Sequence, residues 1–144
     1  MRSFEKRITV AKDDLDNLMH VNNVRYLSWI QDISKEHWQT AATKEMQENF
    51  IWVVSTHYLE YKAAAVLNDE ILIKTYIEKS EGAISTRIVK MFYAETGKPV
   101  MNSKTDWCLL NAKSLRPMRI PEEIKNMFMA LGVRIGTVED EKAF

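Results

Sequence analysis

Residues 14–29 read DLDNLMHVNNVRYLSW, and the change of pattern inside that stretch decides how the rest of the chain is read. Its first part is polar and irregular, with Asp14, Asp16, Asn17, His20, Asn22 and Asn23 close together. From Val24 onward apolar positions return every three to four residues: Leu27, Ile30, Ile33 or Ser34, His37 or Trp38, and Ala41. That spacing makes one stripe on an α-helix. Asn22 or Asn23 suits its N-cap, because a short side-chain oxygen can take an orphan N–H of the first turn. The spacing predicts a helix from Val24 that ends between Thr40 and Glu48. Packing alone gives no reason for carboxylates and a histidine at its mouth.

Outward from this helix the period drops to two. Upstream, Phe4, Lys6 and Ile8 alternate with Glu5, Arg7 and Thr9, which predicts a strand over 4–10. Downstream, residues 51–62, 70–79, 83–95 and 100–111 are strand-length runs rich in Ile, Val, Thr, Tyr, Phe and Trp. They are separated by LND at 67–69, SEG at 80–82 and ETGKP at 95–99, turn chemistries suited to hairpins between antiparallel neighbours. Pro121 at a first helical position then opens a short helix with Ile124, Met127 or Phe128, and Leu131 as its stripe, stopped by Gly132. The order predicts an α+β domain over 1–133 and a frayed tail over 134–144. One long helix on a five-stranded antiparallel sheet buries the apolar sides of both. The opposite sheet face and the edges need cover that a second copy can supply.

Composition bounds the function. The chain has 144 residues, 46% hydrophobic and 28% charged, which fits a single globular domain. Basic and acidic residues number 20 each, so nothing favours nucleic acid. A single cysteine, Cys108, excludes a disulfide framework or a thiolate zinc site within one chain. The three histidines, at 20, 37 and 57, have no helical metal-ligand spacing, so no metal or other cofactor is expected. The N-terminal segment has no apolar core of a secretory signal, and no run approaches the length of a membrane span. The expected compartment is the cytoplasm, with no membrane partner.

The residue string carries more than its periodicity. Asp14, Asp16, His20, Val21, Asn22, Asn23, Tyr26 and Trp29 form the pattern Asp-x-Asp followed by His-Val-Asn-Asn-x-x-Tyr-x-x-Trp. It resembles the hotdog-fold thioesterases of the 4-hydroxybenzoyl-CoA and acyl-ACP thioesterase group, most closely the N-terminal half of the plant acyl-ACP enzymes. In looser form the resemblance covers roughly residues 4–131, including SLRPMRIP at 114–121, which is similar to a family ending after the last strand.

The resemblance implies a hotdog fold and the hydrolysis of an acyl thioester of coenzyme A or acyl carrier protein. It implies that Asp16 is the catalytic carboxylate, as general base or nucleophile. At Asn23 it implies a backbone N–H that polarises the carbonyl, which suits the positive end of a helix. His20 is the third candidate, with the alternative that it only holds the loop. Asn22, Tyr26 and Trp29 are candidates for substrate contact. The alternatives are an N-cap for Asn22 and core packing for the aromatics. Asp14 reads as a turn residue. Asp32 and Glu36 are backup carboxylates, since some hotdog enzymes carry theirs on the helix; the other reading is one solvated helix face. His57 and Cys108 read as packed strand residues rather than a nucleophile pair, and Glu60 as a strand residue facing water or a subunit boundary.

The sequence also departs from the pattern. The plant enzymes have Asn two residues before the histidine, where Leu18 stands here. Bacterial relatives commonly have Gly where Met19 stands. Asp32 replaces a Glu of the plant enzymes. Leu18 puts the plant-type arrangement in doubt and leaves a single-Asp mechanism. On the substrate side, the resemblance places Arg116 and Arg119 near a subunit boundary, where they are candidates to meet the nucleotide or an acidic carrier protein; the alternative is scattered surface charge. Lys62, Arg87, Lys90, Lys104 and Lys113 are further cations for the same purpose. Trp29, Trp38, Trp52, Met91 and Trp107 are candidates to line an acyl slot between helix and sheet. The expected assembly is a homodimer or homotetramer. A non-catalytic acyl-thioester-binding hotdog protein is the alternative function. A hotdog dehydratase ranks below both, because its histidine motif is absent.

Overall fold

The structure, a computed structural model, describes residues 3–129. Its elements are β1 (Ser3–Thr9), a 3-10 turn at Lys12–Asp14, α1 (Asn23–Ala41), α2 (Lys44–Asn49), β2 (Phe50–Tyr61), β3 (Glu70–Glu81), β4 (Ile84–Tyr93), β5 (Pro99–Asn111) and α3 (Glu122–Met129). The expected helix stop at Leu131–Gly132, the domain limit at 133 and the tail lie outside the described residues.

Asn22 is the N-cap of α1, its Oδ1 accepting the Val24 N–H at 2.8 Å. The helix ends inside the expected window, and a second, short helix follows it. α1 stops where Ala42 turns extended, and Thr43 caps a second helix by accepting the Met46 N–H at 3.1 Å. The buried stripe of α1 is Tyr26, Trp29, Ile30, Ile33, Ser34 and His37, so Leu27 sits at its margin rather than at its centre. Pro121 lies one residue before α3 instead of at its first position, and its carbonyl accepts the Ile124 N–H.

All neighbouring strands are antiparallel, in the order β1-β3-β4-β5-β2. SEG and ETGKP close hairpins, helped by Gly82 and Gly97 at positive φ. LND does not. β2 and β3 lie three places apart in the sheet: β2 is an edge beyond β5, and β3 pairs with β1 and β4 near the opposite edge. The 62–69 link therefore crosses the end of the sheet. It is held there by the polar loop, with the Val21 N–H donating to Ala65 O at 2.9 Å and His20 bridging Val66. A short polar link looks the same whether its strands pair or not, which is why the local pattern misleads.

One face of the sheet carries α1. Ile71, Ile73, Val89, Met91 and Met101 pack there against Tyr26, Trp29, Ile30 and Ile33. A second cluster of Ile77, Leu109, Ile120, Ile124 and Phe128 lies toward α3. The opposite face is closed at its centre in a single chain, where Glu5, Lys74, Thr86 and Ile88 are buried. At the β2 edge Ile51, Val53 and Tyr58 are exposed.

Candidate active site

The polar loop is a miniature hairpin. The Asn22 N–H donates to Asp14 O at 2.8 Å, Leu15 bridges Val21, and the Asp16 N–H donates to His20 O at 2.7 Å. Leu15 and Val21 turn toward the core, and Asp14, Asp16, His20 and Asn22 share the other side. Asp14 is fully occupied in structure: one oxygen accepts the Ala11 N–H at 2.8 Å and the other pairs with Arg25 Nε at 3.0 Å. Asp16 is used by one oxygen only. Its Oδ1 accepts the Leu18 N–H at 2.8 Å and the His20 N–H at 3.2 Å, and Oδ2 has no partner among the described residues. The His20 ring is exposed.

At the start of α1 the orphan amides divide in the same way. Asn22 Oδ1 takes the Val24 N–H, and Asn22 O takes the Arg25 N–H at 2.9 Å. The Asn23 N–H meets no acceptor among the described residues. An open carboxylate oxygen and an open helix N-terminal amide thus belong to one short loop. That pairing can take up a proton and stabilise an oxyanion.

The other candidates lie elsewhere. Tyr26 and Trp29 belong to the core, edge to face with ring centroids 5.5 Å apart. Glu36 is paired with Lys6 at 2.9 Å, and Asp32 is an exposed residue of α1. Glu60 pairs with Lys62 at 2.8 Å. His57 pairs with Thr105 across the strands while Cys108 pairs with Val53, which puts the two on opposite faces of the sheet. Arg116 and Arg119 are exposed in the link after β5, where Asn111 bonds Arg116 and Ile120 bonds Gly82. Asp16 is beside the other end of the sheet, roughly 30 Å away along β5.

A cavity of about 410 Å³ lies between α1 and the sheet. Trp38, Trp52 and Trp107 line it, as the sequence suggests, whereas Trp29 and Met91 are core. Arg87 also lines it. Read in the sequence as one of the cations for the nucleotide or carrier protein, it is instead 4% exposed, because it shares the α1-facing side of β4 with Val89 and Met91. That two-residue alternation was the available signal. Its Nη1 lies 2.9 Å from both His37 Nδ1 and Thr75 Oγ1, and its guanidinium sits 5.6 Å from the Phe128 ring centre. Burial pulls its pKa down to about 9, so it remains charged at neutral pH. Among the described residues no group of His, Cys, Asp and Glu is placed to hold a metal, and no helix is long and apolar enough to cross a membrane.

The family model for the acyl-ACP thioesterase N-terminal domain matches residues 1–128. The chain belongs to that family. It is a thioesterase, and its reaction class is the hydrolysis of acyl thioesters. No curated protein sequence matches it. Among solved structures, Slr0204, a 1,4-dihydroxy-2-naphthoyl-CoA thioesterase from Synechocystis, superposes with a TM-score of 0.78 at 12% identity, over 91% of this chain and 98% of its own. YbaW, a probable thioesterase from Escherichia coli, gives 0.75 at 21% identity over 86% and 95%. The 12:0-ACP thioesterase from Umbellularia californica gives 0.76 at 15% identity; 97% of this chain matches 54% of that one. These likenesses identify the architecture as the hotdog fold.

Two departures from the family pattern now have a location. Met19 has φ 63, the left-handed region that glycine enters freely, which explains a Gly at this place in relatives. Leu18, at the Asn position of the plant enzymes, is 74% exposed at the loop tip.

Proposed function

We propose that this thioesterase hydrolyses acyl-CoA or acyl-ACP through Asp16, with the Asn23 backbone N–H receiving the carbonyl oxygen. The observation that carries the reading is the shared loop: Asp16 Oδ2 and the Asn23 N–H are both left open while their neighbours are bonded. In the general-base route Asp16 takes a proton from water as the water oxygen attacks the carbonyl carbon. The C–S bond then breaks, and the proton passes to the departing thiolate. In the nucleophile route Asp16 attacks the carbon itself, the C–S bond breaks as the thiolate leaves, and water then cleaves the resulting anhydride to the free acid and Asp16, a water proton going to the thiolate. Both routes place charge on the carbonyl oxygen, where a helix N-terminal amide stabilises it.

The protein acts as a homodimer, or a dimer of such dimers, in the cytoplasm. A two-fold pairing of β2 edges sets the Phe50 end of one strand against the Tyr61 end of its partner. Arg116 and Arg119, distant from Asp16 within one chain, then approach the partner's loop and serve the nucleotide or carrier protein. His20 orients the loop from beside Asp16. Leu18 at the tip supports a second reading, a binding protein without turnover.

The deciding experiment is thiol release from a panel of acyl-CoA and acyl-ACP esters, wild type beside Asp16→Asn. Turnover that collapses in the folded variant supports the proposal. Turnover that survives transfers the chemistry to Asp32, Glu36 or His20. Binding of the esters without hydrolysis of any of them favours the second reading.

A further inference from the structure

The cavity beneath α1 has an unbalanced lining. Trp38, Trp52, Ile77 and Phe128 make apolar walls, and exposed Gln31 and Lys35 mark the rim. Three hydrogen-bond donors line the same space. Ser85 and Trp107 are cross-strand partners, and Arg87 is next on the same face of β4. Ser85 Oγ and Trp107 Nε1 are buried with no hydrogen-bond partner. Arg87 uses Nη1 on His37 and Thr75, which leaves Nε and Nη2 without an acceptor among the described residues. No carboxylate among those residues pairs with it.

A buried guanidinium without an anion carries a desolvation cost that proteins ordinarily offset with a partner. Lys74, the other deeply buried cation, has one: Glu5 lies 3.1 Å from it. Arg87 instead faces a ligand-sized space. We propose that this cavity seats the far end of the acyl group and that this end is a carboxylate. The substrate class is then an ω-carboxyacyl thioester. The guanidinium fork takes the carboxylate oxygens, Ser85 and Trp107 donate to them, and the tryptophan walls hold the chain. Along α1, Gln31 to Trp38 begin roughly 12 Å from Asn23 at the helical rise, which calls for a chain of medium length. The inference rests on the thioesterase reading for the thioester end, but the carboxylate seat is testable without turnover.

Three of the four tryptophans line the cavity, so their fluorescence reports its occupancy. Decanoate and decanol, matched in length and differing in charge, are titrated into wild type, Arg87→Met and Arg87→Lys. Wild type is expected to bind decanoate about tenfold to a hundredfold more tightly than decanol. Arg87→Met erases that preference while still binding decanol, and Arg87→Lys keeps part of it. Should Arg87→Met fail to fold, Ser85→Ala with Trp107→Phe decides: decanoate weakens several-fold and decanol does not. In turnover, wild type favours dodecanedioyl-CoA over dodecanoyl-CoA in kcat/KM, and Arg87→Met reverses the order. Equal binding of acid and alcohol by wild type overturns the proposal, as does an acid preference that survives in the folded Arg87 and Ser85/Trp107 variants. An Arg87-dependent acid preference with no hydrolysis of any thioester leaves the seat standing and removes the thioesterase reading instead.

Discussion

Asp16 and His20 bond each other twice across the loop: the Asp16 N–H donates to His20 O at 2.7 Å, and Asp16 Oδ1 accepts the His20 N–H at 3.2 Å. The aspartate therefore holds the loop with one oxygen and leaves the other open. The two uses are separable. Asp16→Asn retains an acceptor at the Oδ1 position and is expected to unfold within about 0.5 kcal/mol of wild type while losing roughly 10²–10⁴ in turnover. Asp16→Ala loses the acceptor as well and is expected to be about 1–2 kcal/mol less stable. Urea titration beside thiol release checks both, and equal stability of the two variants would remove the structural role.

Met19 offers the opposite change. It holds φ 63 with an exposed side chain, so it pays backbone strain for little packing. Replacement by Gly relieves roughly 1–2 kcal/mol of left-handed strain and returns part of it as unfolded-chain entropy, leaving a net gain of about 0.5–1 kcal/mol. A Met19→Gly variant no more stable in urea than wild type would show that the loop relaxes around the methionine.

The sequence made the local features legible and left the long-range ones hidden. Asn22 as cap, the helix stripe and the hairpins at SEG and ETGKP follow from chemistry within a few residues. The placement of β2 at the far edge does not, because strand partners are chosen across the whole sheet. Within the candidate site, the motif singled out Asp16 and the helix start. The division of labour between the two Asp16 oxygens depends on the turn that brings the Leu18 and His20 N–H groups to Oδ1. Arg87 was readable in principle, since alternation sets it in line with Val89 and Met91, but a charged residue at such a place is ordinarily assigned to solvent.

The Lys74–Glu5 pair makes a sharper stability test. Both side chains are 1% exposed and their charged atoms lie 3.1 Å apart on the sheet face away from α1. Removing one partner takes this buried ion pair away from the other, so Lys74→Met is expected to cost up to about 3–5 kcal/mol. Combining it with Glu5→Leu should recover most of that loss. A double variant as unstable as the single one would mean that the site needs the charges for more than each other.

His57 ties stability to pH. Its Nδ1 lies 2.8 Å from Thr105 Oγ1, its Nε2 is buried without a partner, and burial lowers its pKa from the ordinary 6.5. The folded chain then takes up this proton less readily than the unfolded chain. The stabilisation is complete above the unfolded value and falls as pH drops through 6.5 toward the lower folded one. Melting temperatures of wild type and His57→Gln should therefore converge between about pH 7.5 and about pH 5. Parallel curves would assign the acid sensitivity to other groups.

The proposed dimer is testable at the β2 edge. β2 runs from Phe50 to Tyr61 with no strand on its outer side, and its Ile51, Val53 and Tyr58 are exposed in alternation with residues that face α1. An edge of this length invites another strand, and a second copy in two-fold pairing buries the apolar row on both sides. A lysine in the middle of that row places like charges near each other across the axis. Wild type is accordingly expected to sediment as a dimer, and Val53→Lys as a monomer with its fold intact by circular dichroism. If Arg116 and Arg119 act across the boundary, the monomer also loses kcat/KM for CoA esters, and Arg116→Ala in the dimer lowers the same parameter through KM. A wild-type monomer with full turnover would place the whole site within one chain and leave the two arginines without a part in it.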